Sequence, residues 1–138
     1  MIHTVKYSLL PGFERTGVLA PILPITFMHG KYEVPSFALV DSGAEYGLVS
    51  TVIAEALNIN WVKLLQKQGF TSSGSFLYRT ARNIQAEVYN HPFRLSINIA
   101  EGVNAFKCIL GRNDIFKQAK ITFEGYKNQF QIEFRNLN

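Results

Sequence analysis

From Pro21 onward the chain is written in apolar runs too short for ordinary helices, each closed by turn residues. Phe93, Leu95, Ile97 and Ile99 alternate with polar residues, the period of a strand with one buried face. Ile22 to Met28 reads as a strand, His29-Gly30 as its turn, and Val34 to Val40 as the return strand, with Pro35 near its start. Leu48-Val49, Phe76 to Arg79, Asn83 to Val88, Phe106 to Leu110, Ile121 to Phe123 and Gln129 to Phe134 read as further strands, and Val62 to Leu65 as the start of another. Gly69 to Gly74 is expected to be a mobile turn, and Asn90 to open a turn closed by His91-Pro92. Two segments have helical character. Thr51 to Leu57, capped by Ser50 or Thr51, places Val52, Ile53, Ala56 and Leu57 on one face; Arg112 to Ala119 can be capped by Asn113 or Asp114. The pattern predicts an all-β fold, a closed or nearly closed barrel with one or two short helices.

At 138 residues the chain fits one domain. Residues 1–20, the least patterned part, read as an N-terminal segment, an arm or edge strand; residues 21–138 read as the domain itself. With 47% hydrophobic and 17% charged residues the chain is too apolar for intrinsic disorder. A single cysteine, Cys108, excludes an intramolecular disulfide and a cysteine-based zinc site, and His3, His29 and His91 are too scattered for a metal motif. No metal or other cofactor is expected. The longest apolar stretch, Val18 to Met28, is broken by Pro21 and Pro24, and no basic leader precedes an apolar run. The expected location is cytoplasmic, without a membrane partner. The fourteen Lys and Arg give a net charge of +4 but never form a dense run, so no nucleic-acid partner is expected. The glycine-rich nucleotide motifs and the GxSxG nucleophile motif are absent.

The acids are more informative. Of ten, only Asp41 and Asp114 are aspartates. Asp41 follows the apolar run Phe37-Ala38-Leu39-Val40 and precedes Ser42, Gly43 and Ala44. A carboxylate at the end of a buried strand is costly unless hydrogen-bonded, and a neighbouring glycine lets backbone amides approach it. Taken alone, Asp-Ser-Gly is also good turn chemistry. Cys108-Ile109-Leu110-Gly111-Arg112-Asn113 is an apolar strand, a glycine and a helix start.

In this order, Leu39-Val40-Asp41-Ser42-Gly43-Ala44 and Ile109-Leu110-Gly111-Arg112-Asn113 resemble the retropepsin-like, retroviral-type aspartic proteases. The resemblance covers roughly residues 21–134 and implies a closed six-stranded acid-protease barrel lobe with a flap hairpin. The hairpin from Ile121 to Phe134 points to a single-domain, non-viral member. Family members hydrolyse peptide bonds with two aspartates sharing one proton, one activating water and the other polarising the carbonyl. Since Asp41 alone stands in the motif, the resemblance implies a homodimer, each copy contributing its Asp41, acting on a peptide or protein substrate. A catalytically inactive domain used for peptide binding or dimerisation is the alternative. An unrelated nucleic-acid-binding barrel is a second.

The resemblance also assigns roles. Asp41 is catalytic, and Ser42, Gly43 and Ala44 complete the active loop. Ser42 would reach across the dimer axis, Gly43 would face the substrate backbone, and Ala44 withholds a side-chain hydrogen bond from the carboxylate. Gly69, Phe70, Thr71, Ser72, Ser73, Gly74, Ser75 and Phe76 form the flap, closing over an extended peptide. Ile109 and Leu110 pack beneath the loop at Gly111, and Glu45 and Arg112 form an ion pair tying the two motifs together. Asp114, as a helix-start residue, is expected to tolerate Asn at a cost of at most about 1 kcal/mol.

Overall fold

The computed structural model describes residues 1–72 and 74–136. Its main body is a single sheet that closes on itself. β4 (Ile22–His29) and β5 (Tyr32–Val40) form a hairpin across Gly30 and Lys31, with His29 opposite Tyr32. β5 then pairs in parallel with β10 (Cys108–Leu110), which pairs with β6 (Leu48–Ser50). β6 pairs in parallel with β9 (His91–Ala100), and β9 with β8 (Gly74–Val88). β8 returns to β4, with Phe27 opposite Ala86, which closes a six-stranded ring. β7 (Lys67–Thr71) extends β8 beyond the ring as a projecting hairpin. The expected all-β barrel with two short helices is therefore present.

The ring closes because inward residues of each strand are apolar. Leu23, Ile25 and Phe27 of β4, Ala38 and Val40 of β5, Ile97 and Ile99 of β9 and Leu110 of β10 are all buried in one cluster. α1 (Thr51–Ala56) plugs one end, with the Ser50 hydroxyl capping it by accepting from Ile53 N–H. Its buried stripe is Ile53, Ala54 and Leu57, whereas Val52 is half exposed, so the apolar face is turned by one residue from the expected one.

Local boundaries differ for physical reasons. Phe76 to Arg79 and Asn83 to Val88 are one strand, irregular between Ala81 and Ile84, where Asn83 takes a left-handed φ of 59°. The hairpin turn at residues 89–90 uses positive φ at Tyr89 and Asn90, leaving His91 and Pro92 inside β9. Val62 to Leu65 does not begin a strand: Trp61–Lys63 is a 3-10 turn, with Trp61 under the Arg79 guanidinium. α2 is the short Ile115–Gln118, capped by Asp114.

A three-stranded sheet packs beside the barrel. β1 (Ile2–Lys6) pairs with β12 (Gln129–Phe134), which pairs with β11 (Ala119–Glu124). The strands β2 (Ser8–Leu9) and β3 (Leu19–Ala20) form a small separate pair. Phe130 and Ile132 are fully buried, and Val5 joins the same core. Ring stacking fastens the sheet to the β8–β9 turn: His3 stacks on Tyr89 at 4.4 Å and His91 on Phe134 at 4.2 Å.

Phe130 also meets Tyr7 and Phe123 at ring-centroid distances of 6.3 and 6.2 Å. Its truncation leaves a cavity between the sheet and the barrel. Phe130→Ala is expected to lower the unfolding free energy by about 3–5 kcal/mol, measured by urea denaturation. A loss under 1 kcal/mol would show that the sheet does not share the barrel's core.

Candidate active site

The parallel pairing of β5 and β10 sets Leu39 beside Ile109 and Val40 beside Leu110. Both strands end at the same edge, so Asp41 and Gly111 leave the sheet side by side. Asp41 N–H donates to the Leu110 carbonyl at 2.9 Å, Arg112 N–H to Ala44 O at 2.9 Å and Asn113 N–H to Glu45 O at 2.8 Å. The loop 41–47 is thus seated on the turn 109–114 by main-chain bonds. Two glycines permit this closeness: a Cβ on Gly111 would lie 2.6 Å from Ala44 O, and one on Gly47 would lie 2.7 Å from Ile109 O.

Asp41 is half-buried at the mouth of this seam. Its Oδ1 accepts from the Gly43 amide at 2.9 Å, which fixes the carboxylate plane. Ser42 and Gly43 are exposed beside it, and Ala44 N–H donates to Asp41 O at 3.2 Å. Leu110 lies fully beneath the loop, whereas Ile109 is only partly covered. Ile109 and Leu39 face outward into an apolar groove flanked by Leu10, Phe13, Phe37 and Phe106. The three phenylalanines are exposed at its edge. Sequence reading missed this groove, although four consecutive apolar residues, Phe37 to Val40, signal a strand covered on both faces.

The expected Glu45–Arg112 ion pair does not form. Among the described residues the ion pairs are Arg79–Glu101 and Lys127–Glu124, and both Glu45 and Arg112 are exposed. Their main chains already hold the loops together, and an exposed pair would add about 0–1 kcal/mol at most.

The side chain that does enter the seam is Asp114, only 4% exposed. Its Oδ1 accepts from Gly111 N–H at 2.8 Å and from Ile115 N–H. Oδ2 has no donor in good hydrogen-bonding geometry, and the Gly47 amide lies close enough to the carboxyl to favour its charged form. Burial pushes the carboxyl up to about 6, against the weaker pull of the Ile115, Gly111 and Gly47 amides. The neighbouring Cys108 thiol is pushed up to about 12 by burial and by the Asp114 charge, so it stays neutral and inert.

The segment Gly69 to Gly74 is not a loose turn. Lys67–Thr71 and Gly74–Val88 pair as far as Thr71 opposite Gly74, where the Thr71 hydroxyl donates to Gly74 O at 3.2 Å. Ser72 lies in the turn, and Ser73 is outside the described residues. Phe76 lies against Gly69, whose Cβ would stand 2.5 Å from the ring, while Phe70 is exposed and opposite Ser75. Glu101 clasps both roots of the hairpin: its Oε2 accepts from Gln66 Nε2 at 3.0 Å and pairs with Arg79 Nη1 at 3.3 Å. Arg79 also covers Trp61, 5.1 Å from the ring centroid. Among the described residues, no three His, Cys, Asp or Glu side chains converge as a metal centre would require.

Asp114 makes stability depend on pH. The buried group ionises near 6 and an ordinary aspartate at 3.8, so the unfolded chain loses its proton first as pH rises. The folded state keeps its full advantage below 3.8 and loses it progressively up to about 6, by at most roughly 3 kcal/mol. Between pH 4 and pH 7, wild type is expected to lose this much stability relative to Asp114→Asn, measured by urea denaturation at each pH. A difference between the two proteins that stays constant with pH would refute it.

No family model and no curated protein matches the chain at the sequence level. Its fold, however, is similar to that in the crystal structure of a retropepsin-like aspartic protease from Rickettsia conorii, with a TM-score of 0.67. The match covers 95% of this chain and 98% of that one at 14% sequence identity, so what the two share is the fold.

Proposed function

We propose that this chain is an aspartic endopeptidase acting as a homodimer, with one Asp41 from each subunit forming the catalytic pair. The observation that carries the reading is the unequal placement of the two aspartates. Asp41 stands at an open edge with one oxygen fixed by the Gly43 amide, while Asp114 is buried and committed to the seam. A single chain therefore offers one carboxylate for chemistry. A second copy related by a two-fold axis supplies the other.

In the pair, one Asp41 carboxylate takes a proton from water as the water oxygen attacks the scissile carbonyl. The other, protonated, donates a hydrogen bond to the carbonyl oxygen. Collapse of the tetrahedral intermediate breaks the C–N bond as a proton passes to the leaving amine. Ser42 braces the partner's loop across the axis, and Gly43 leaves room for substrate backbone. The projecting β7–β8 hairpin acts as the flap, stiffened by Phe76 against Gly69 and held at its roots by Glu101. An extended peptide lies between flap and loop as an added strand. The groove of Leu39, Ile109, Phe37 and Phe106 receives an apolar side chain beside the cleaved bond. The chemistry calls for no metal or organic cofactor, and a reducing cytoplasm suits a chain with one cysteine.

Digestion of a peptide pool tests the reading. Asp41→Asn is expected to lower kcat/KM at least about a hundredfold with the fold intact. Peptide binding with no cleavage by wild type would favour a binding module instead. Specific activity should fall on dilution as the dimer dissociates; constancy down to purely monomeric protein would exclude a shared pair. Two carboxylates sharing one proton are active between two ionisations, so the rate should follow a bell with its optimum at roughly pH 4–6. A rate still rising at pH 8 would rule out this pair.

A further inference from the structure

We propose that Asp114 is a positioning residue of the Asp41 loop: its neutral carboxyl seats residues 41–47 on the turn 109–114, and its ionisation unseats them. This deepens the endopeptidase reading and rests on it for its effect on catalysis. Among the described residues Asp114 is the one polar side chain buried in the seam, and it touches both sides. Its Oδ1 holds the Gly111 amide. Its Oδ2 occupies the space in front of Gly47, 2.6 Å from where a Cβ would stand, and the Ile109 carbonyl borders the same space at 2.7 Å. The turn that Asp114 holds is bonded directly to the Asp41 loop: Arg112 N–H donates to Ala44 O, Asn113 N–H to Glu45 O and Asp41 N–H to Leu110 O.

A neutral carboxyl is stable there; a carboxylate is an unpaired buried charge. The ionisable and charged groups on the surrounding elements are Cys108 on β10, Asp41, Glu45 and Tyr46 on the loop, Arg112 on the turn, and Lys117 on α2. None forms an ion pair with Asp114 among the described residues. Cys108 stays neutral over the working range. The ionised group can recover solvation only by moving towards water, and the loop that covers it is the one carrying Asp41. The Ile115, Gly111 and Gly47 amides oppose this by favouring the charged form, but the upward direction of the shift shows that burial outweighs them.

The chain has only two aspartates, which makes the test direct. In protein carrying 13C-carboxyl aspartate, the two side-chain signals are assigned by their loss in Asp41→Asn and Asp114→Asn. The Asp114 signal is expected to titrate near pH 6. The amide signals of Gly43, Ala44, Glu45 and Gly47 should move with the same midpoint in wild type and in Asp41→Asn, and should not move there in Asp114→Asn. Loop amides that ignore the Asp114 midpoint, or keep moving in Asp114→Asn, overturn the proposal. Should Asp114→Asn not fold, Gly47→Ala serves. It presses a methyl onto Oδ2 and should displace both the Asp114 midpoint and the loop response; leaving both unchanged overturns the proposal. In peptide digestion, ionisation of Asp114 should lower wild-type activity about tenfold at pH 7, one unit above its midpoint, and Asp114→Asn should escape that loss. An equal decline in both proteins overturns the catalytic effect. Loop amides that follow Asp114 in a protein with no peptidase activity uphold the coupling and reject the endopeptidase reading.

Discussion

Leu39-Val40 and Ile109-Leu110 lie side by side as parallel strands, and the candidate site is built outward from that contact. Parallel pairing needs two segments far apart in sequence to end at one edge. Here it delivers Asp41 and Gly111 together, with alternate residues divided between two tasks. Val40 and Leu110 turn inward and anchor the edge in the barrel core, while Leu39 and Ile109 turn outward and line a groove. One register thus fixes the carboxylate, its apolar surroundings and its support. A slip of one residue would exchange the two faces and destroy all three.

The seam above this pairing is almost entirely main chain. Glycines at 47 and 111 let two loops approach to hydrogen-bonding distance, so the geometry around Asp41 does not depend on the rotamers of long side chains. Rigid backbone support of this kind suits a group that must keep its orientation. The β7–β8 hairpin is built differently. It is fastened at its roots through Glu101, Gln66 and Arg79, and carries an exposed Phe70 near its far end. One part of the site is held still and the other extends from a clasp.

What could be read from the sequence was what is written locally. The apolar pairs ending at Asp41 and Gly111, the alternation of Phe93 to Ile99 and the caps at Ser50 and Asp114 each depend on a few neighbouring residues. Val62 to Leu65 misled because Val62 and Leu65 are exposed, while Leu64 and the preceding Trp61, under Arg79 of a distant strand, make the packing contacts. The stripe of α1 was displaced by one residue because periodicity alone does not say which edge of a stripe meets the barrel. The family resemblance implied an ion pair between Glu45 and Arg112, but backbone amides join those loops instead. The burial of Asp114 was hidden for a related reason: it depends on Gly47, far away in the chain, having no side chain.

The pairing of β1 with β12 carries a consequence for biogenesis. Among the described residues β1 pairs with β12 alone, with Ile2 opposite Glu133, so β1 stays unpaired until β12 has been made. A contact of such sequence separation closes late and slowly. Until then the apolar side of β1, including Val5, has nowhere to go, and neither His3 nor Phe134 can fasten the sheet to the barrel. The barrel strands can assemble as the chain emerges, but the three-stranded sheet is a seal that closes only once β12 has been made. During synthesis, therefore, the unsealed β1 is open to chaperones, proteases and the strands of other chains until β12 arrives.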